Sequence, residues 1–454
     1  MGRSSSSSLR SRALCAVAAT ALLVATQACS SGSSGSAGPT GPGRDQGSIP
    51  ATASPQAQSS ESLKPTPQPK PTEMAGPTTG QALPGKDMPA CPAELSGVLT
   101  HPLMDPKYIA ALTPLGNLNP PGHTSPVDHI YFATKYTGRI PLYAPADAQI
   151  TTVTQDLVKY GSGGYKPNGY VVTYTLCRGV QIILAGYADV SPGLKAELAT
   201  QSASCSYWAP KPGHDDSGEG QCMYNKLSYA VKSGDELGWT QATQTQWGLE
   251  LAFEIWAVDY NHVARSDVTW DYFGGYDAYY PYAFCLFDMY SGSLKDSFYS
   301  KFGLWDTKSK PARFTPRTVA PKCGQTTQDI FDTIQGMWFG GPPDPKHNYE
   351  FEGKGLAIVH NNIDPTKAEL SIGGFVTKNA GVSIFTPKHS GLIDREPSEV
   401  KADGMVYCYN LAGAAYLDGK LLIALLDGRH LKVEHQAGKC TGHEALKNPA
   451  AYQR

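Results

Sequence analysis

The chain has 454 residues, a formal net charge of -2 at pH 7 and a pI near 6.6. That length exceeds one ordinary domain and implies two or three, and the near-neutral charge leaves no basic footprint for nucleic acid as a partner. With 47 Gly, 35 Pro and 25 Tyr, the composition favours turn-rich β-structure over long helices.

At the N-terminus, Arg3, Arg10 and Arg12 precede the apolar run ALCAVAATALLVA, Ala13 to Ala25. Such a run is shorter than the ~20 residues a helix needs to cross a bilayer, and it fits the apolar core of a secretory signal. Ala28, Cys29 and the following SSGSSGS resemble a bacterial lipoprotein processing site. The resemblance implies a signal over residues 1–28 and lipidation of Cys29, with simple secretion and cleavage near Ala28 as the alternative. A membrane reached through this anchor is then the first expected partner, on the outer face of the bacterial cell membrane or in the periplasm or outer membrane.

Residues 29–90 follow as a tether. Ser30 to Ala90 holds no Phe, Tyr, Trp or Val, and eleven Pro lie between Pro39 and Pro89. Such a segment buries too little apolar area to offset its ordering entropy, so it is expected to be disordered. As a random coil it reaches roughly 45 Å.

Of ten Cys, Cys15 lies in the apolar run and Cys29 at the processing site, which leaves eight. An even set in an exported chain implies disulfides, and none of the eight shows the short paired spacing of a zinc knuckle. Nearness along the chain pairs Cys205 with Cys222, Cys285 with Cys323 and Cys408 with Cys440, leaving Cys91 with Cys177.

From Cys91 the composition becomes globular. DPKYIAAL (Asp105 to Leu112) reads as a short helix, and strand signals follow in IYF, IPLYAP, AQITTVTQ, GYVVTYTL and VQIILAGY, punctuated by Gly and Pro. VKSGDELGWT and GLELAFEIWAVDY close this first domain, expected over residues 91–265. The remainder, 266–454, reads as a second, disulfide-bearing β-rich domain with one helix at SLKDSFYSKF and strands at GLAIVH, AELSIGGF, GVSIFTP and GMVYCYNL. Its clearest hairpin is KLLIALL-DG-RHLKVEH, where Asp427 and Gly428 are expected to supply two positive-φ turn residues.

IPLYAPADA (Ile140 to Ala148), VKSGDELG (Val231 to Gly238) and GLELAFE (Gly248 to Glu254) occur in the order and rough spacing of the LytM/lysostaphin-like zinc peptidoglycan endopeptidases. The resemblance covers about Pro120 to Tyr260 and implies an antiparallel β fold with a groove. In that family zinc is held by the His and Asp of an HxxxD motif and by the second His of an HxH strand. Here Glu250 and Ala252 stand at the two HxH positions. The family's inner-strand His falls near AGYADVS, which offers Tyr187 and Asp189. In GHTSPVDHIYF, His123 and Asp128 are five apart where the motif needs four; if His129 takes the Asp position, Ser125 takes that of the His.

The resemblance therefore implies a retained fold without catalytic or metal residues and without a cofactor, its groove lined by Tyr187, Asp189, Glu250, Ala252 and Glu254. The alternative is a rebuilt zinc site using His123, Asp128 or His129, and Glu250, since carboxylates also ligate zinc. No G-x-S-x-G elbow is present. Three further stretches each have a functional and a structural reading. The aromatic block at 270–284 either stacks on sugar rings or plugs the space between domains. His360 with Asn361 and Asn362 is either a polar ligand site or a strand-end turn. GHDDSGEG (Gly213 to Gly220) is either a calcium loop or a disulfide-closed surface loop.

The function expected is that of an exported cell-envelope lipoprotein whose LytM-like domain binds peptidoglycan or an envelope protein without cleaving it. A metalloendopeptidase with a remodelled site, and a surface structural protein active through its C-terminal domain, are the alternatives.

Overall fold

A computed structural model describes residues 83–159, 164–208, 218–244, 250–262, 275–306, 313–342, 344, 353–412 and 417–454. The expected signal over 1–28, Cys29 and the tether as far as residue 82 lie outside the described residues. So do 213–217 of the acidic loop, 270–274 of the aromatic block, and the side chains of Glu250 and Ala252.

The fold is mainly β. In chain order, the first strands are β1 (Ala111–Thr113), β2 (Ile130–Ala133), β3 (Ile140–Tyr143), β4 (Ala148–Lys159), β5 (Lys166–Cys177), β6 (Val180–Tyr187) and β7 (Asp189–Val190). Helix α1 (Pro192–Ala199) leads to β8 (Ser204–Trp208), β9 (Gly218–Tyr224), β10 (Tyr229–Val231), β11 (Glu236–Thr240), β12 (Thr243–Gln244) and β13 (Glu250–Asp259). Among the described residues these form a ten-stranded sheet ordered β1-β2-β13-β6-β5-β4-β9-β8, with β10 on β4 and β12 on β13, and a small sheet β3-β11-β7.

Strand β5 alternates, and a register shift between Ile150 and Thr152 restores the phase of β4, so Ile150, Val153, Val172 and Tyr174 face a core that also takes Ile182, Leu184, Ile255 and Phe132. Helix α2 (Gly292–Tyr299) closes this core with Phe287, Phe298 and Phe302. The core thus draws on residues as far along the chain as Cys323.

After the β14 (Gly303–Asp306) and β15 (Arg313–Pro316) ribbon come β16 (Gly336–Phe339), β17 (Gly355–His360), β18 (Ala368–Ile372) and β19 (Gly381–Phe385). They continue into β20 (Tyr407–Asn410), β21 (Lys420–Asp427), β22 (His430–Gln436) and β23 (Ala450–Gln453). Two antiparallel meanders join through β16 and β23 into an eight-stranded sheet, β19-β18-β17-β16-β23-β22-β21-β20. Its inward residues, including Trp338, Ile358, Leu370, Tyr409, Ile423 and Val433, make a second core. The outward residues of β16 and β17 (Met337, Phe339, Ala357, Val359) are buried as well, against Tyr280 and Leu118. The described chain from residue 83 onward therefore belongs to one compact unit.

Four disulfides close it: Cys91–Cys177, Cys205–Cys222, Cys285–Cys323 and Cys408–Cys440. Two local expectations are corrected. Asp105 to Leu112 is not a helix but one 3-10 turn at Pro106–Tyr108, where the Asp105 carboxylate accepts from Lys107 N–H. The chain then extends because Ala111–Thr113 pair with β2. In the β21–β22 hairpin neither Asp427 nor Gly428 has positive φ. The turn lies one residue later, with the Asp427 carboxylate accepting from Arg429 N–H at 2.8 Å, so a side-chain bond sets it instead.

Candidate functional site

Asp128 and His129 immediately precede β2. The register pairs Ile130 with Ile255 and Tyr131 with Glu254, so alternation brings His129, Tyr131, Glu254 and Trp256 to one face, opposite the first core. The His129 and Trp256 rings lie 4.3 Å apart, and those of His129 and Tyr131 4.7 Å apart. His129 Nδ1 is 2.9 Å from Asp128 Oδ1, and Trp256 Nε1–H donates to the same oxygen at 2.9 Å. A carboxylate only accepts, so it holds the proton on Nδ1 and leaves Nε2 as a lone pair on the side of Glu254 in the neutral ring.

Nε2 faces Glu254 Oε2 at 3.9 Å, beyond hydrogen-bond range. Both His129 Nε2 and Asp128 Oδ2 are buried without a hydrogen-bond partner among the described residues. Glu254 is the open wall: its side chain is 30% exposed, against 5% for His129 and 9% for Asp128. Burial raises the Glu254 carboxyl above the usual carboxylate range, His129 opposes that shift and Asp128 adds to it. The His123 ring sits 5.3 Å from that of His129. Burial lowers the His123 imidazole to about 4, the neighbouring His129 adds to the lowering, and Asp128 works against it.

His123, Asp128, His129 and Glu254 are thus brought together. Glu250 pairs with Gln244 on β12, and Ala252 falls at the register shift between Leu251 and Phe253. Tyr187 does not line this face. The pairing slips at Gly186, between Tyr187–Tyr170 and Ala185–Val171, which turns Tyr187 into the core with its hydroxyl against that of Tyr174. Asp189 is likewise elsewhere. Its carboxylate binds Lys195 Nζ at 2.6 Å and lines a separate depression of about 410 Å³ with Arg139, Glu236 and Trp239. Trp256 is the participant that the sequence reading missed, although it lies two residues beyond Glu254 on the same strand face.

A catalytic zinc needs three protein ligands and an open position. Among the described residues no group of three or more His, Cys, Asp or Glu is disposed to hold a metal ion. The described residues do not fit that ion.

The described parts of the remaining stretches make the following contacts. His360 bonds Pro365 O and Glu396 through its two ring nitrogens, while Asn361 Oδ1 caps Ile363 and Asp364 N–H, making a strand-end turn. Gly218 to Gly220 open β9, which Cys205–Cys222 ties to β8. In the aromatic block, Tyr280 is buried between the two halves and donates its hydroxyl to Thr326 O at 2.6 Å.

Fold and site together define a mainly β, disulfide-closed protein with a polar histidine–carboxylate cluster on one sheet face. Comparison with family models, with curated proteins and with solved structures finds no match to this chain.

Proposed function

We propose that the chain is an exported cell-envelope lipoprotein, anchored through Cys29, whose first β domain is LytM-like and binds peptidoglycan or an envelope partner without cleaving it. The four disulfides are consistent with an exported, non-cytoplasmic protein. The LytM likeness is supported by the adjacency of its motif stretches. Val231 pairs with Ala148, Gly238 with Leu142, and Asp147 accepts from Ser233 N–H at 3.0 Å.

The observation that carries the non-cleaving reading is the direction of the cluster. Asp128 Oδ1 takes the N–H of both His129 and Trp256, which leaves His129 Nε2 and Glu254 Oε2 as acceptors facing each other, an arrangement that supports holding a donor group. All eight Cys of the folded part are oxidised and supply no thiolate.

Purified protein is expected to sediment with insoluble peptidoglycan, release no muropeptides from it and contain no stoichiometric zinc. Stoichiometric zinc lost on His123→Ala, together with muropeptide release, would replace this reading with the metalloendopeptidase.

A further inference from the structure

We propose that the gap between His129 and Glu254 is a recognition site for a primary ammonium group. Resting on the reading above, the group is the free side-chain amine of a diamino acid in a cell-wall peptide.

Three acceptors of the described residues lie about this gap. Asp128 fixes the His129 proton on Nδ1, so Nε2 offers a lone pair; Glu254 Oε2 faces it at 3.9 Å. Asp128 Oδ2 is a third buried acceptor without a partner among the described residues. A ligand atom within hydrogen-bond distance of both Nε2 and Oε2 must therefore donate to both. A sugar hydroxyl carries one proton and satisfies one of them. An –NH3⁺ group carries three, at tetrahedral angles that span such a gap.

Charge selects the same group. Two carboxylates flank one imidazole, so anions are repelled and a cation is favoured. The indole of Trp256 and the phenol ring of Tyr131 both pack on His129, so the acceptors sit in an aromatic surround of the kind that suits an alkylammonium. Access is along the exposed side of Glu254.

The test uses the full chain. Its binding is measured to insoluble cell wall, untreated and after acetic anhydride has acetylated the wall's free amines. In parallel, protein with ¹⁵N-labelled histidine is titrated with 1,5-diaminopentane and with pentane-1,5-diol, and the His129 Nε2 resonance is followed. Acetylation is expected to weaken wall binding at least roughly tenfold, the scale of one charge-assisted contact. The diamine, and not the diol, should shift the Nε2 resonance, and Glu254→Gln should remove that shift while the thermal unfolding transition stays cooperative. Should Glu254→Gln fail to fold, the diamine and diol titrations of the unaltered chain decide.

Equal binding to both walls with an unmoved resonance would overturn the ammonium site and leave wall binding standing. A diamine-specific shift in a chain that ignores both walls would keep the site and sink the wall-binding reading.

Discussion

His123 shows how one residue's surroundings become a pH response. Its unfolded value is near 6.5, and burial beside His129 lowers it to about 4 in the folded chain. Between those values the unfolded chain binds more protons than the native one, so stability rises with pH there. Read downward, stability is lost from about pH 6.5 to about 4, with a slope of about 1.4 kcal/mol per pH unit, and this contribution is flat below that. Glu254, whose carboxyl is raised by burial, acts in the opposite sense: its native form takes up a proton before the unfolded chain does. The difference between the native chain and His123→Gln therefore isolates the histidine. Urea unfolding at pH 7, 5.5 and 4.5 is expected to show the native chain losing stability with a steeper slope than the variant. Equal slopes would mean that His123 is protonated in the fold as readily as outside it.

Gly238 makes the corresponding argument for whole strands. It sits at φ +154, and a Cβ there would lie 2.3 Å from Asp189 O and 2.9 Å from Val190 Cα, in backbone that cannot swing away. Strand β11 can approach β7 only because this side chain is missing. Gly238→Ala is expected to cost more than about 2 kcal/mol by combining strain with lost pairing. Hydrogen exchange should report it locally, as faster exchange at Ser191 N–H, which bonds Leu237 O, and at Ala188 N–H, which bonds Trp239 O. Unchanged protection at both amides would show that β7 tolerates the methyl group.

The same elements show what the sequence discloses. Alternation along GYVVTYTL reveals a strand and its buried face at Tyr170, Val172 and Tyr174, because burial on one side imposes a period of two, whereas in AQITTVTQ a register shift after Ile150 breaks that period. GHTSPVDHIYF discloses a local cluster, because nearness in sequence is nearness in space. The slip at Gly186 that sends Tyr187 into the core leaves no period to read. Trp256 joins Asp128 from 128 residues away, through a register that only strand pairing sets. Helix α1 has a legible start in the sequence: Ser191 is its cap, accepting from Leu194 N–H, with Pro192 at the first position.

For the whole molecule, the question is why two cores behave as one unit. The segment at 279–282 answers it, since its side chains divide between them. Tyr279 and Tyr282 pack with Ile183, Val258 and Trp256 on the first sheet. Tyr280 points the other way, onto Met337, Phe339, Ala357 and Val359 on the outer face of the second sheet, and its hydroxyl donates to Thr326 O. Because Tyr280 is only 3% exposed, truncation leaves a cavity at the junction rather than at either centre. Tyr280→Phe removes the hydrogen bond and leaves Thr326 O unpaired, a loss of about 1 kcal/mol. Tyr280→Ala should cost about 3–5 kcal/mol, by analogy with aromatic truncations in other cores. The larger effect should also change the form of unfolding. Far-ultraviolet circular dichroism and tryptophan fluorescence are expected to coincide in the native chain and to separate in Tyr280→Ala as the two cores melt independently. Trp338 reports the second core and Trp256 the first sheet's outer face, so single Trp→Phe backgrounds assign each phase. If both probes still coincide after Tyr280→Ala, the coupling runs through other contacts, such as Asn362 to Pro114 O or Arg317 to Asn362 O, and not through this ring.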